Sequence, residues 1–127
     1  MEAVQSQLQD IVPAKISEFR KLEKGEPYHF DRWEKDSDGR PCLYYWFNSR
    51  DRNKRNVKRV PVFEFCAVLD HIRQNGAFTR SDYQELCPVA QSAGPCGYAV
   101  IGRLLEALGA AQYQGRINGF VRNHSRR

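Results

Sequence analysis

Residues 96–119 constrain this chain more than any other stretch. Ile101, Leu104, Leu105 and Leu108 recur at three- and four-residue steps, which places them on one stripe of a helix from about Cys96 to Leu108. Gly109 stands where a left-handed residue ends a helix. Ala111–Gln114 and Phe120–Arg122 then flank the turn Gly115-Arg116-Ile117-Asn118-Gly119, and Asn-Gly between alternating apolar runs signals a hairpin. The helix face opposite the stripe carries Ala99, Gly102, Arg103 and Glu106. It is small and flat, with one arginine, and is suited to lie against another surface.

The residues before this unit complete a pattern. Pro61 opens a helix whose stripe is Val62, Phe65, Cys66, Leu69 and Ile72, and Gly76 ends it. Ala77-Phe78 is a short extended piece that can pair with the hairpin. Thr79 and Asp82 fit a capping box, with Phe78 and Tyr83 placed as a hydrophobic staple. The second helix is short and ends near Pro88, and residues 88–95 read as a turn. Three helices and a hairpin in this order resemble a winged helix-turn-helix. The resemblance is topological and spans residues 61–122. It implies that the third helix is a recognition helix and that the 115–119 turn is the wing. Candidate nucleic-acid contacts are then Tyr98 and Arg103 on the helix, and Arg116, Asn118 and Arg122 in the wing. The helix offers few groups that read bases, so contacts to the backbone or to duplex shape are expected to dominate.

The first sixty residues read as an extension packed on this core. Val4, Leu8, Ile11 and Val12, then Ile16, Phe19 and Leu22, follow helical steps interrupted by Pro13. Either two helices, about 2–11 and 13–24, or one kinked helix is expected, packed on its own domain or against a second copy. Tyr28–Trp33 and Cys42–Phe47 are rich in β-formers, with a turn at Lys35–Gly39. Strict alternation groups Tyr28, Phe30 and Arg32 on one face and His29, Asp31 and Trp33 on the other. Tyr44 and Trp46 share a face, which is expected to lie beneath the N-terminal helix. The alternative leaves them exposed as a partner or base-stacking surface. Asn56–Val60 is compatible with a further strand. Glu34, Asp36, Asp38 and Gly39 mimic the opening of a calcium loop, but Pro41 and Tyr45 break the pattern, which leaves an acidic turn.

Charge is the most informative total. Residues 1–49 carry a net −2, 50–59 a net +5, 60–115 a net −2 and 116–127 a net +4. Two short segments therefore hold the whole excess, as expected for a polyanion-binding surface. Arg50, Arg52, Lys54, Arg55, Lys58 and Arg59 are the phosphate-contact candidates in the first. No nucleophile motif, phosphate loop or metal-ligand spacing occurs, and Cys42, Cys66, Cys87 and Cys96 form no close pair. Asp31, Glu34 and Lys35 match no catalytic arrangement. The expectation is an α+β protein with three parts: an extension over 1–60, a winged-helix core over 61–122 and a basic tail over 123–127. It binds nucleic acid, most plausibly double-stranded DNA, as a regulator of transcription or another DNA transaction, with no catalytic residue, metal or cofactor. Its alternative is a protein-interaction or homodimer module that uses the aromatic hairpin. No membrane span is expected, and the place is intracellular: cytoplasm or nucleoid, or the nucleus in a eukaryote.

Overall fold

The computed structural model describes residues 1–49 and 54–123. Among them are five helices and two antiparallel sheets, of four and three strands. The N-terminal sheet has the order β1 (Glu18–Phe19), β2 (Tyr28–Lys35), β3 (Pro41–Asn48), β4 (Arg55–Pro61). Helix α1 (Glu2–Ile11) precedes it, and α2 (Val62–Asn75) leaves β4 without a linker. Next come β5 (Ala77–Phe78), α3 (Arg80–Leu86), α4 (Pro88–Ser92), α5 (Gly97–Ala107), β6 (Ala111–Tyr113) and β7 (Phe120–Arg122). The small sheet has the order β5-β7-β6, so Ala77-Phe78 does pair with the hairpin.

The local signals that formed as expected are those with a backbone partner close by. Thr79 and Asp82 make the full capping box at the start of α3. Gly109 follows α5 with φ +74°, a conformation that disfavours a side chain. Asn56–Val60 lies within β4, paired with Leu43–Phe47 of β3.

Three expectations are corrected. Residues 13–24 form no helix. Pro13 supplies no amide to continue α1, and Glu18-Phe19 instead pairs with Tyr28-His29 as an edge strand, burying Phe19. The turn at 88–95 contains α4. Its first amides, Val89 and Ala90, donate to the buried carboxylate of Glu64 on α2 at 2.7 and 2.9 Å. A distant carboxylate thus fills the role that a local cap plays elsewhere. In β2 the pairing skips Asp31: Phe30 faces Tyr45, but Arg32 faces Tyr44. This bulge puts Trp33 on the core side with Phe30 and leaves Arg32 outside, contrary to strict alternation.

One hydrophobic core joins both sheets. It runs from Leu8, Val12 and Phe19 through Leu43, Tyr45 and Val60 to Phe65, Ile72, Ile101, Leu104 and Phe120. Every residue of α5 from Gly97 to Leu105 is buried. The face expected to be flat and free is therefore occupied. At Gly102 an added Cβ would lie 1.9 Å from Cζ of Phe120. That ring cannot step aside, because it is fully buried and held by Tyr98 and Tyr113 at centroid distances of 5.4 and 5.0 Å. Gly102→Ala is expected to destabilise the protein by about 1–3 kcal/mol, since overpacking outweighs the gain in helix propensity of up to about 1 kcal/mol. Denaturant unfolding measures this. The double variant with Phe120→Leu is expected to lose less than the two single losses combined.

Candidate nucleic-acid interface

The outer face of the N-terminal sheet is built by register. His29, Trp46 and Val57 lie opposite one another across β2, β3 and β4, and Arg32, Tyr44 and Arg59 form the next row. The imidazole of His29 stacks on Trp46 at 4.3 Å and 25°. The Arg55 guanidinium sits over the Trp46 ring at 3.8 Å, and that of Arg32 over Tyr44 at 4.1 Å. The cations thus sit over the ring faces, where the negative side of the π-system attracts them. Tyr44 and Trp46 are half-buried by these neighbours and not by α1, which corrects the expectation that the helix covers them. Helix α1 lies on the opposite side of the sheet, where the Trp33 indole donates to the carbonyl of Val12 at 3.0 Å and Leu8 enters the core. The Asp31 bulge turned Trp33 to that side and gave the helix its apolar seat.

The cations of this face differ in how far acids neutralise them. Arg32 pairs with both Asp31 and Glu34. Arg59 is half-buried, with Nε 3.5 Å from Asp36 Oδ2 but without hydrogen-bond geometry. Lys58 points to the core side of β4, over the Phe47 ring, and donates to the carbonyl of Ala93, with Cys96 Sγ at 3.4 Å. Lys54 and Arg55 are exposed, and among the described residues neither has a carboxylate within ion-pair distance. Arg50 and Arg52 lie outside the described residues.

Two expected contacts are not available as surfaces. Tyr98 is only 2% exposed, and its hydroxyl donates to the carbonyl of Phe78 at 3.2 Å. Arg103 is 8% exposed. Its Nε donates to the carbonyl of Arg20 at 2.9 Å, Nη2 to that of Lys21 at 3.4 Å and Nη1 to Glu106 at 2.8 Å. The chain's own residues 20–21 thus cover the part of α5 that a groove-reading helix would present. The hairpin-turn residues Arg116 and Asn118 are exposed, as is Ile117 between them, at 91%. Arg122 is exposed and donates to the carbonyl of Arg73.

Residues 21–28 also make one wall of a cleft missed at the level of sequence. A cavity of about 440 Å³ lies between Lys21, Lys24, Tyr28 and Phe47 on one side and Arg80, Cys96 and Ala99 on the other. A second, of about 260 Å³, is lined by Leu22, Glu23, Arg80, Tyr98, Tyr113 and Arg116. Lys21 Nζ stands 5.3 Å from the Tyr28 ring centre, and the Arg80 guanidinium 4.8 Å from that of Tyr98. Lys21 and Lys24 carried no signal because their segment read as helix. Arg80 was hidden as an ordinary first-turn residue after Thr79.

The thiols are poor ligands here. Burial pushes Cys87 up to about 12 and Cys42 up to about 11, so both stay protonated at neutral pH. Among the described residues, no three His, Cys, Asp or Glu side chains converge on a point that could hold a metal ion. No helix among them is long and apolar enough to cross a membrane. No protein-family model, curated protein or solved structure matches the chain.

The acidic turn beside this interface has a pH signature. Asp36 accepts from the amides of Arg40 and Asp38, both at 3.0 Å, and from the Arg40 side chain. The Arg40 amide is the main cause that holds this carboxyl below its ordinary value of 3.8. A lowered folded value stabilises the protein fully above that ordinary value, and the contribution is lost as pH falls through the folded one. The stability advantage of the parent over Asp36→Asn is therefore expected to be constant near neutrality and to vanish in strong acid. Urea midpoints from about pH 6 down to about pH 2 measure it.

Proposed function

We propose that this protein binds nucleic acid on a winged-helix scaffold, in a DNA transaction such as transcriptional regulation, and has no catalytic role of its own. One observation carries the reading. Lys54, Arg55 and Arg116, from the two segments that hold the whole charge excess, are exposed and without a carboxylate partner among the described residues. Cations that neutralise no acid within the fold can neutralise phosphates. The scaffold reading is supported by the element order from α2 to β7 and by the β5-β7-β6 strand order. Binding through α5 in a major groove is not part of the proposal, because Tyr98 and Arg103 are buried. The wing and the β4 end of the outer sheet face remain as contact surfaces, and Trp46 with its stacked His29 and Arg55 adds planar groups beside them.

A second reading has its own observation. Val57, 47% exposed, adjoins Trp46 on that same sheet face and extends it as an apolar patch fit for a protein partner or a second copy.

The test is binding to labelled random-sequence oligonucleotides at about 50 and about 200 mM salt. For about five neutralised phosphates, affinity is expected to fall by about 10²–10³-fold between the two. Lys54→Ala with Arg55→Ala is expected to weaken binding of all sequences and to reduce the salt slope by about one per cation removed. Absence of binding at the lower salt, together with a dimeric solution mass, would sink the nucleic-acid reading in favour of the second.

A further inference from the structure

The two cavities beside residues 21–28 share Leu22, Glu23 and Arg80, so they are successive parts of one groove. It runs from Tyr28 and Phe47, near the ends of the two central strands of the N-terminal sheet, to Tyr113 and Arg116 at the wing. Four cations line it (Lys21, Lys24, Arg80 and Arg116) against the single acid Glu23. None of the four has a carboxylate within ion-pair distance among the described residues. The groove ends at Arg116, in the basic C-terminal segment.

We infer that this groove takes single-stranded nucleic acid, with Lys21, Lys24, Arg80 and Arg116 on successive phosphates and the half-buried rings of Tyr28 and Tyr113 against bases. The inference rests on the nucleic-acid reading and specifies its substrate. The chemistry separates a single strand from a duplex. A duplex turns its bases inward and would present only a phosphate ridge, leaving the tyrosines without a partner. A single strand can set phosphates on the cations and lay unpaired bases on the rings, the combination that strand-tracking grooves use. Cations and rings are already adjacent along the groove: Lys21 stands over Tyr28, and Arg80 over Tyr98 beneath it. Tyr98 itself is floor, since its hydroxyl is committed to Phe78. Residues 20–21, fixed by Arg103, are what turn the covered face of α5 into a groove wall.

The experiment is fluorescence anisotropy of the full chain with labelled oligo-dT and oligo-U of about 15 nucleotides, each competed by unlabelled single strand or by duplex of equal length. Single strand is expected to compete at least about 10-fold better than duplex. Lys24→Glu with Arg80→Glu, both exposed, is expected to lower single-strand affinity at least about 10-fold with unchanged melting. Arg116→Glu, on the wing, serves as the second variant and is expected to act in the same direction. A preference between oligo-dT and oligo-U would assign DNA or RNA as the source of the strand, and either assignment supports the groove. Binding in which duplex competes equally, or in which both variants behave as the parent, overturns the groove and leaves the nucleic-acid reading standing. No binding to either form overturns both.

Discussion

Enclosure of α5 is the constraint on which the other parts depend. Phe120 presses on the backbone at Gly102 from the hairpin side, and Arg103 ties the far side to the carbonyls of Arg20 and Lys21. A buried guanidinium is tolerable only when its donors are met, and here two carbonyls and the Glu106 carboxylate meet them. Glu106 reaches further and accepts from the amide of Tyr113 at 2.9 Å, so the same cluster also anchors β6. One side chain pair thereby links helix, hairpin strand and N-terminal segment. A helix held in this way is a core element. Its neighbours, not the helix, face solvent and any ligand.

The N-terminal sheet owes its two unlike faces to the bulge at Asp31. By shifting the alternation it sends Trp33 inward, under α1, and Arg32 outward, over Tyr44. Without that shift Trp33 would share the outer face with His29, and α1 would lack a seat. The outward row of aromatic and cationic groups and the inward apolar row are thus consequences of a single unpaired residue. The same sheet, through β1 and the residues after it, supplies the wall of the cleft beside the C-terminal hairpin.

What could be read in the sequence follows the range of the interactions involved. The stripe of Ile101, Leu104 and Leu105, the capping box at Thr79, the stop at Gly109 and the hairpin at 115–119 depend on residues within a few positions, and all were legible. Residues 16–22 were not, because cross-strand pairing of Glu18 with His29 and of Phe19 with Tyr28 overrode a helical spacing. The role of Glu64 was invisible for the same reason: its partners, the Val89 and Ala90 amides, lie 25 and 26 positions away. Arg103 on a face of small residues looks like a contact residue by composition. Only its three-dimensional partners identify it as structural. Of the candidate contacts, Lys54, Arg55, Arg116, Asn118 and Arg122 are exposed, Lys58 turns to the core side of β4, Arg59 is half-buried, and Tyr98 and Arg103 on the helix are buried.

Native-state hydrogen exchange of α5 tests this picture most directly. If the helix is enclosed by the C-terminal hairpin and by residues 20–21, the amides from Val100 to Leu105 are expected to exchange only through global unfolding, with the same protection as the centre of β3. Exchange of those amides at a clearly lower free energy than β3, together with residues 16–27, would show that the N-terminal segment opens in the native state. Helix α5 would then be an accessible surface, and its enclosure would not be the constraint that organises the fold.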